Sequence, residues 1–237
     1  MKLKSKIYTL FTVSCTAWLL ACTAGQSGGN GGANDTAIVM NSPQKALEVA
    51  LRDLQQLSDD NIKAFGFASV AEAKEAKAEE PVKLQVLSFD KLLAGDSSMA
   101  NDSLNPLSRF ESTEQQELVY PLAVGGAVKS TVKITGMSER WQIAGFDQGH
   151  AAVVTNARKL SQGQAFGLVN IPGLQLAFIE TSIDGRRLYY PVVSDEQAGV
   201  YKDRPMSAYE LVRVLSNAAR AAKDRYGKEI DGKRIVN

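Results

Sequence analysis

Leu118-Val119-Tyr120-Pro121-Leu122-Ala123-Val124-Gly125-Gly126-Ala127-Val128-Lys129-Ser130-Thr131-Val132-Lys133-Ile134-Thr135 is the stretch whose reading decides the fold. Two strand-like runs, 118–124 and 127–135, flank a Gly-Gly pair that tolerates the positive φ angles of a tight hairpin. The pattern predicts antiparallel sheet. Downstream, 140–146 supplies a third strand after a turn over 136–139, and a helix over about 149–160 closes the unit. Upstream, Ser42-Pro43 is a helix start, with a serine cap and proline where the missing amide costs nothing. Leu47, Ala50, Leu51, Leu54 and Leu57 then recur at helical spacing, for a helix of about 15 residues. Ser69 and Glu72 have capping-box spacing for a second, more exposed helix up to Glu80, ended before Pro81. Residues 82–89 alternate as a strand with one buried face.

The same order returns in shorter form. Strands over 166–170 and 174–183 are interrupted by Pro172-Gly173, Asp184-Gly185 makes a turn, and 187–193 runs back. Ser207 and Glu210 form another capping box, opening a helix through Tyr226 that Gly227 is expected to stop. Leu211, Leu215, Ala218, Ala222 and Tyr226 make its apolar stripe, whose alanines would let it lie close on a sheet. The predicted class is α+β: antiparallel sheets with helices packed on one face, in two units, 42–162 and 163–237. Leu118-x-Tyr120-Pro121 and Leu188-x-Tyr190-Pro191 share a pattern. Duplication is one explanation; the other is that two edge strands independently placed proline where no ladder amide was needed. The order of helix, antiparallel strands and helix resembles cystatin-like and protease-propeptide folds, a likeness that would not fix function.

The first two dozen residues give an address. Lys2, Lys4 and Lys6 precede a mostly apolar run, 7–20, that ends in Leu19-Leu20-Ala21-Cys22. The run is about 14 residues where crossing a bilayer takes roughly 20, which makes 1–21 a secretory signal rather than a spanning helix. Leu19 to Cys22 resembles the lipobox of bacterial lipoproteins. That resemblance implies cleavage between Ala21 and Cys22, a diacylglyceryl thioether on Cys22 and acylation of the new amine. Thr23, rather than Asp, resembles the pattern sorted to the outer membrane, facing the periplasm, in bacteria that have two membranes. Residues 22–41 then read as a lipidated cysteine and a flexible tether, since Gln-Ser-Gly-Gly-Asn-Gly-Gly-Ala-Asn at 26–34 cannot bury enough apolar surface to order itself. At about 5–6 Å times the square root of residue number, such a tether holds a domain roughly 25 Å from the lipid. Buried acyl chains, at about 0.8 kcal/mol per methylene, make the attachment effectively permanent.

Composition removes several chemistries. The chain has 27 basic and 26 acidic residues; without the three signal lysines 24 remain against 26, a charge of −2. Such a balance gives no general electrostatic reason to hold nucleic acid. Cys15 leaves with the signal and Cys22 is lipidated, so the folded part has no thiol for a disulfide, a nucleophile or a metal site. His150 is the one histidine. Sites built on several imidazoles are excluded, and neither a metal nor a cofactor is expected.

Gly95-Asp96-Ser97, Asn101-Asp102 and Asp147-x-x-His150 are similar to pieces of the GDS, ND and DxxH blocks of the SGNH hydrolases. That likeness implies attack by Ser97, proton transfer to His150 and orientation of the imidazole by Asp147. The order departs from the family, because Asn101 follows Ser97 within four residues and no alternating parallel β/α pattern surrounds them. The structural alternative makes Asp147 a helix N-cap and His150 a first-turn surface residue. Residues 94–117 lack periodicity and are expected to be disordered or a mobile flap; Asp96 and Asp102 lack the ligand spacing of a calcium loop. Arg213, Arg220, Lys223 and Arg225 form a basic face on the last helix, normally a solvated one. Trp141 reads as a core anchor, and Tyr120, Tyr189 and Tyr190 as residues packed on a sheet.

The expected function is therefore a lipid-anchored, non-catalytic binding or interaction module, offering a groove or a strand edge to an envelope protein or peptide. The alternatives are the serine esterase and a carrier of a small apolar ligand, which would need an enclosed apolar pocket.

Overall fold

The structure, a computed structural model, describes residues 39–95, 105–112, 115–202 and 204–230, with side chains up to Arg225. Turn chemistry builds its largest feature. Gly125 and Gly126, at φ 57° and 82°, close the hairpin of β3 (Gln116–Val124) and β4 (Ala127–Met137). Ser138 and Glu139 also take positive φ where β4 turns into β5 (Arg140–Phe146). The resulting meander leads into α5 (Gln148–Ser161), capped by Asp147. A second meander, β6 (Phe166–Ile171), β7 (Leu176–Ile183) and β8 (Arg186–Pro191), turns at Asp184-Gly185 and leads into α6 (Ala208–Ile230).

Between the meanders lies β2 (Val82–Val86), giving the order β5-β4-β3-β2-β6-β7-β8, with the two-residue β1 (Lys77–Ala78) beside β3. Every pairing is antiparallel except β2 with β6, where Leu84 faces Leu168. The stretches 42–162 and 163–237, expected as two units, thus share one sheet. The α+β class and the mainly antiparallel pairing are as the sequence predicts.

Helices cover both faces of the sheet rather than one. The central strands carry apolar residues on successive positions, Val119-Tyr120, Leu168-Val169 and Phe178-Ile179, so each face needs a cover. On one face α5 places Val154 and Ala157 against Val82, Leu84, Val119, Leu168 and Ile179. On the other, α1 (Pro43–Leu54), α2 (Asp59–Ile62) and α3 (Val70–Glu75) cover Tyr120, Leu122, Val132 and Ile134. Beside them α4 (Phe89–Ala94) and α6 cover Val169, Ile171, Phe178 and Tyr189.

Several boundaries move. The strand expected over 82–89 ends at Val86, because Ser88 caps α4 by accepting the Lys91 N–H. The helix expected to reach Glu80 stops at Glu75, and Lys77–Ala78 joins β3 instead, a tertiary pairing overriding local propensity. α6 continues past Gly227 to Ile230; a helical glycine costs about 1 kcal/mol and does not forbid continuation. Its buried stripe is Leu211, Val212, Leu215, Ser216 and Ala219, leaving Ala218 and Ala222 half-exposed. Within the expected flap, residues 105–112 are built into the core: Leu107 and Phe110 are buried, and the Ser112 N–H donates to the Val86 carbonyl at 2.7 Å.

The topology also undoes the duplication reading of the shared Leu-x-Tyr-Pro. It falls on the first, interior strand of one meander and on the last, outer strand of the other. Each proline has its own local reason. The Pro121 carbonyl accepts from the Glu79 N–H at 2.9 Å, so its ring nitrogen faces the break between β1 and β2. Pro191 ends β8, whose outer side Met206 occupies by pairing with Tyr189. The opposite outer strand, β5, is paired in the same way by Met40, at 2.8 Å to and from Trp141.

Candidate functional site

At one end of the sheet, on the face opposite α5, a cavity of about 460 Å³ opens over the starts of β2, β6 and β8 and the end of β7. Strand alternation delivers its walls. Lys83 and Gln85 are the polar residues of Val-Lys-Leu-Gln-Val, and the register brings Gly167 opposite Glu180 and Ser182 opposite Arg187. Asn105 comes from the 105–112 segment, which the buried Leu107 and Phe110 hold down.

The charges in this cavity are compensated internally. Lys83 Nζ lies 3.2 Å from Glu111 Oε1, and Arg187 Nη1 lies 2.9 Å from Glu180 Oε1. The Gln85 amide donates to Asn105 Oδ1 at 3.1 Å and also to Glu111 Oε1, to which Asn105 Nδ2 donates at 3.4 Å. Two acceptors on one side fix which way the amide points, because only its nitrogen can donate to them. Gln85 is 6% exposed, and its Oε1 has no hydrogen-bond partner in the protein.

The two carboxyls are displaced in opposite directions. Burial works against the Glu111 carboxylate, but hydrogen bonds from Gln85, Lys83 and Asn105, with the Lys83 charge, hold it below the usual range. Burial pushes Glu180 up, only partly offset by Arg187 and Lys83. Opposed carboxyls can divide acid and base roles. Here three donors converge on Glu111 Oε1, so that oxygen is occupied and the arrangement is suited to holding a polar molecule by hydrogen bonds.

The hydrolase pieces are only partly brought together. Asp147 caps α5, its Oδ1 accepting from the Gly149 N–H at 2.6 Å and the His150 N–H at 3.4 Å, while its Oδ2 lies 2.6 Å from His150 Nδ1. The His150 hydrogen bond, opposed by burial, holds the Asp147 carboxyl at about 2. Ser97, Asp96, Asn101 and Asp102 lie outside the described residues, as does Cys22. Gly95 sits in the α4/α6 layer, its carbonyl accepting from Arg220 at 3.4 Å, on the other face of the sheet from the His150 helix.

Trp141 packs with the α1 cluster over Gly136, and Tyr120 and Tyr189 are buried within the two helix-covered clusters. Arg213, Arg220, Lys223 and Arg225 are exposed on α6. Among the described residues no group of three or more His, Cys, Asp or Glu side chains converges, and no helix is long and apolar enough to cross a membrane. The sequence reading missed Lys83, Gln85, Asn105, Glu111, Glu180 and Arg187. The available signal was polar residues at alternate positions of strands that are apolar on the other side. No protein-family model, no curated protein and no solved structure matches the chain.

Proposed function

We propose that the chain is a membrane-anchored, extracytoplasmic binding module without turnover, held by an acylated Cys22 and engaging an envelope component through the cavity over β2, β6, β7 and β8. The observation that carries this reading is the cavity itself, about 460 Å³ and walled by the polar side chains of Lys83, Gln85, Asn105, Glu180 and Arg187. A partner docking by strand addition is less well served, since Met40 and Met206 already pair with the two outer strands. The charged lining also does not suit a carrier of an apolar molecule.

Anchoring and binding are tested separately. Cys22→Ser should move the folded protein from the membrane pellet to the soluble fraction; retention in the pellet would overturn the anchor. A photocrosslinking residue at Ser182 should trap an envelope component, while one at Lys202, outside the cavity wall, should not. Equal trapping at both, or none at Ser182, would overturn the cavity as the binding site. The 2.6 Å Asp147–His150 pair is the one observation favouring a second reading, a serine esterase of SGNH-like chemistry using Ser97, while Gly95, two residues before Ser97, lies on the other face of the sheet from His150 and counts against it. Ester hydrolysis by the purified protein that disappears in His150→Ala would favour it over the first.

A further inference from the structure

Helix α5 covers Val82, Leu84, Val119, Leu168 and Ile179 at the middle of its face of the sheet and leaves the outer corner of β4 and β5 open. Alternation puts Thr135 and Met137 of β4 on that face, directly opposite Gln142 and Arg140 of β5. Met40 pairs with Trp141 and packs in the α1 cluster on the other face, so its neighbour Val39, the first described residue, turns to the open corner. Val39 is 45% exposed and Met137 55%. With Arg140, Gln142 and the half-buried Trp141 they line a depression of about 150 Å³. The other exposed large apolar side chains among the described residues, Val193, Tyr201 and Tyr209, belong to the chain after β8, the opposite outer strand.

The corner is also where the chain from Cys22 enters the fold. Val39 lies seventeen residues after Cys22, a length that spans at most about 60 Å even fully extended. The two backbone hydrogen bonds between Met40 and Trp141, both 2.8 Å, fix the entry point against β5. Taking as given the acylated Cys22 of the proposed function, the anchor holds the domain to the bilayer by this corner. We infer that the corner of Val39, Met137, Arg140 and Trp141 docks on the bilayer that carries the anchor, with Val39 and Met137 entering the boundary between headgroups and acyl chains. The chemistry suits that boundary. Valine and methionine are apolar, an indole sits at headgroup level, and a guanidinium reaches phosphate while its stem stays among apolar groups. Glu139 shares the turn with Arg140, so the two bring no net charge and the contact rests on apolar insertion rather than on attraction to anionic lipid. A protein partner is less well served. Two exposed apolar side chains around a depression of about 150 Å³ fall far short of the roughly 800 Å² per partner of a stable protein interface. A lipid contact can be weak, because an anchor on a short tether already supplies an effective concentration of about millimolar.

Trp18 leaves with the expected signal, so Trp141 is the single tryptophan reporter. The test reconstitutes the full lipidated chain in phosphatidylcholine vesicles whose acyl chains are brominated near the headgroup end. Flotation reports the anchor, and bromine quenching of Trp141 reports docking. A fluorophore on Tyr201→Cys, on the far side of the sheet, is the control. Trp141 emission should be quenched at low and high salt alike, and the Tyr201→Cys label should not. Val39→Asp combined with Met137→Asp changes only exposed side chains; this variant should float as before but dock about tenfold more weakly or worse, each buried methylene lost being worth a factor of about four. Met137→Leu should keep the quenching. A chain that floats with Trp141 unquenched, or that is quenched equally in the double aspartate variant, would overturn the docking and leave the anchor standing. Emission that ignores the bromines but shifts to the blue as protein density on the vesicle rises would give the corner to a second copy and overturn the lipid contact. Quenching that vanishes at high salt would overturn apolar insertion. A chain that does not float would overturn the anchor, and the docking with it.

Discussion

Phe110→Ala tests whether the segment carrying Asn105 and Glu111 is part of the folded core. Phe110 is 1% exposed and packs with Leu87, Leu92, Leu107 and the α6 residues Leu211 and Leu215. Truncating a buried phenylalanine costs about 3–5 kcal/mol through lost transfer energy and the cavity left behind. Against a total stability of about 5–15 kcal/mol, that is a large fraction. At roughly 2–4 °C per kcal/mol for a chain of this size, the melting temperature should fall by roughly 10 °C. The ring also explains Gly95, where an added Cβ would come within 2.4 Å of Phe110 Cε1 and 2.8 Å of the Lys91 carbonyl. Gly95→Ala should therefore be costly alone and less costly beside Phe110→Ala, since only the backbone clash remains. Urea unfolding of the two single variants and the double variant, followed by far-ultraviolet circular dichroism, gives the coupling directly. A loss below about 1 kcal/mol for Phe110→Ala, or strictly additive effects, would refute the docked arrangement and return residues 105–112 to a mobile flap.

Gly66 and Gly163 make a matched pair, at φ 93° and 84°: a Cβ on Gly66 would meet the Lys129 carbonyl oxygen at 2.3 Å, and one on Gly163 would meet nothing within 4 Å. Gly163→Ala should cost about 1–2 kcal/mol for the left-handed conformation, and Gly66→Ala clearly more in thermal unfolding; equal costs would sink the close approach to β4. Asp147 titrates at about 2 against 3.8 for the free group, so its contribution to stability is complete above 3.8 and is lost as the pH falls through 2. Asp147→Asn keeps a good cap but removes the charge, and its stability should fall less steeply over that interval; superimposable acid limbs would contradict the ion pair.

Local chemistry was the legible part of the fold. Ser42-Pro43, Ser207 with Glu210, Gly125-Gly126 and Asp184-Gly185 each state their own geometry, and each element they start or join is present. What failed depends on partners distant in sequence. Lys77–Ala78 becomes a strand only because β3 offers Leu122 and Ala123, and the 105–112 segment reads as polar loop because two apolar residues, Leu107 and Phe110, do the anchoring. The cavity was hidden for a related reason. In Val-Lys-Leu-Gln-Val the alternation marks Lys83 and Gln85 as facing away from the core, yet Gln85 is covered, because the face assigned to solvent is roofed by a second helix layer and by residues 105–112. Alternation tells which side a residue takes; it does not tell what lies on that side.

The parallel seam between Leu84 and Leu168 has a consequence for how the chain is made. While synthesis or export delivers the protein from its amino end, β2 can pair with β3 as soon as the first hairpin emerges, but its other flank has no partner until 166–171 arrive. For that interval a strand whose Val82, Leu84 and Val86 line one face carries an open row of amides and carbonyls, which is the geometry of off-pathway association. Ribosome pausing or slow translocation within the intervening stretch would lengthen the exposure, so the central seam is where a chaperone has most to protect.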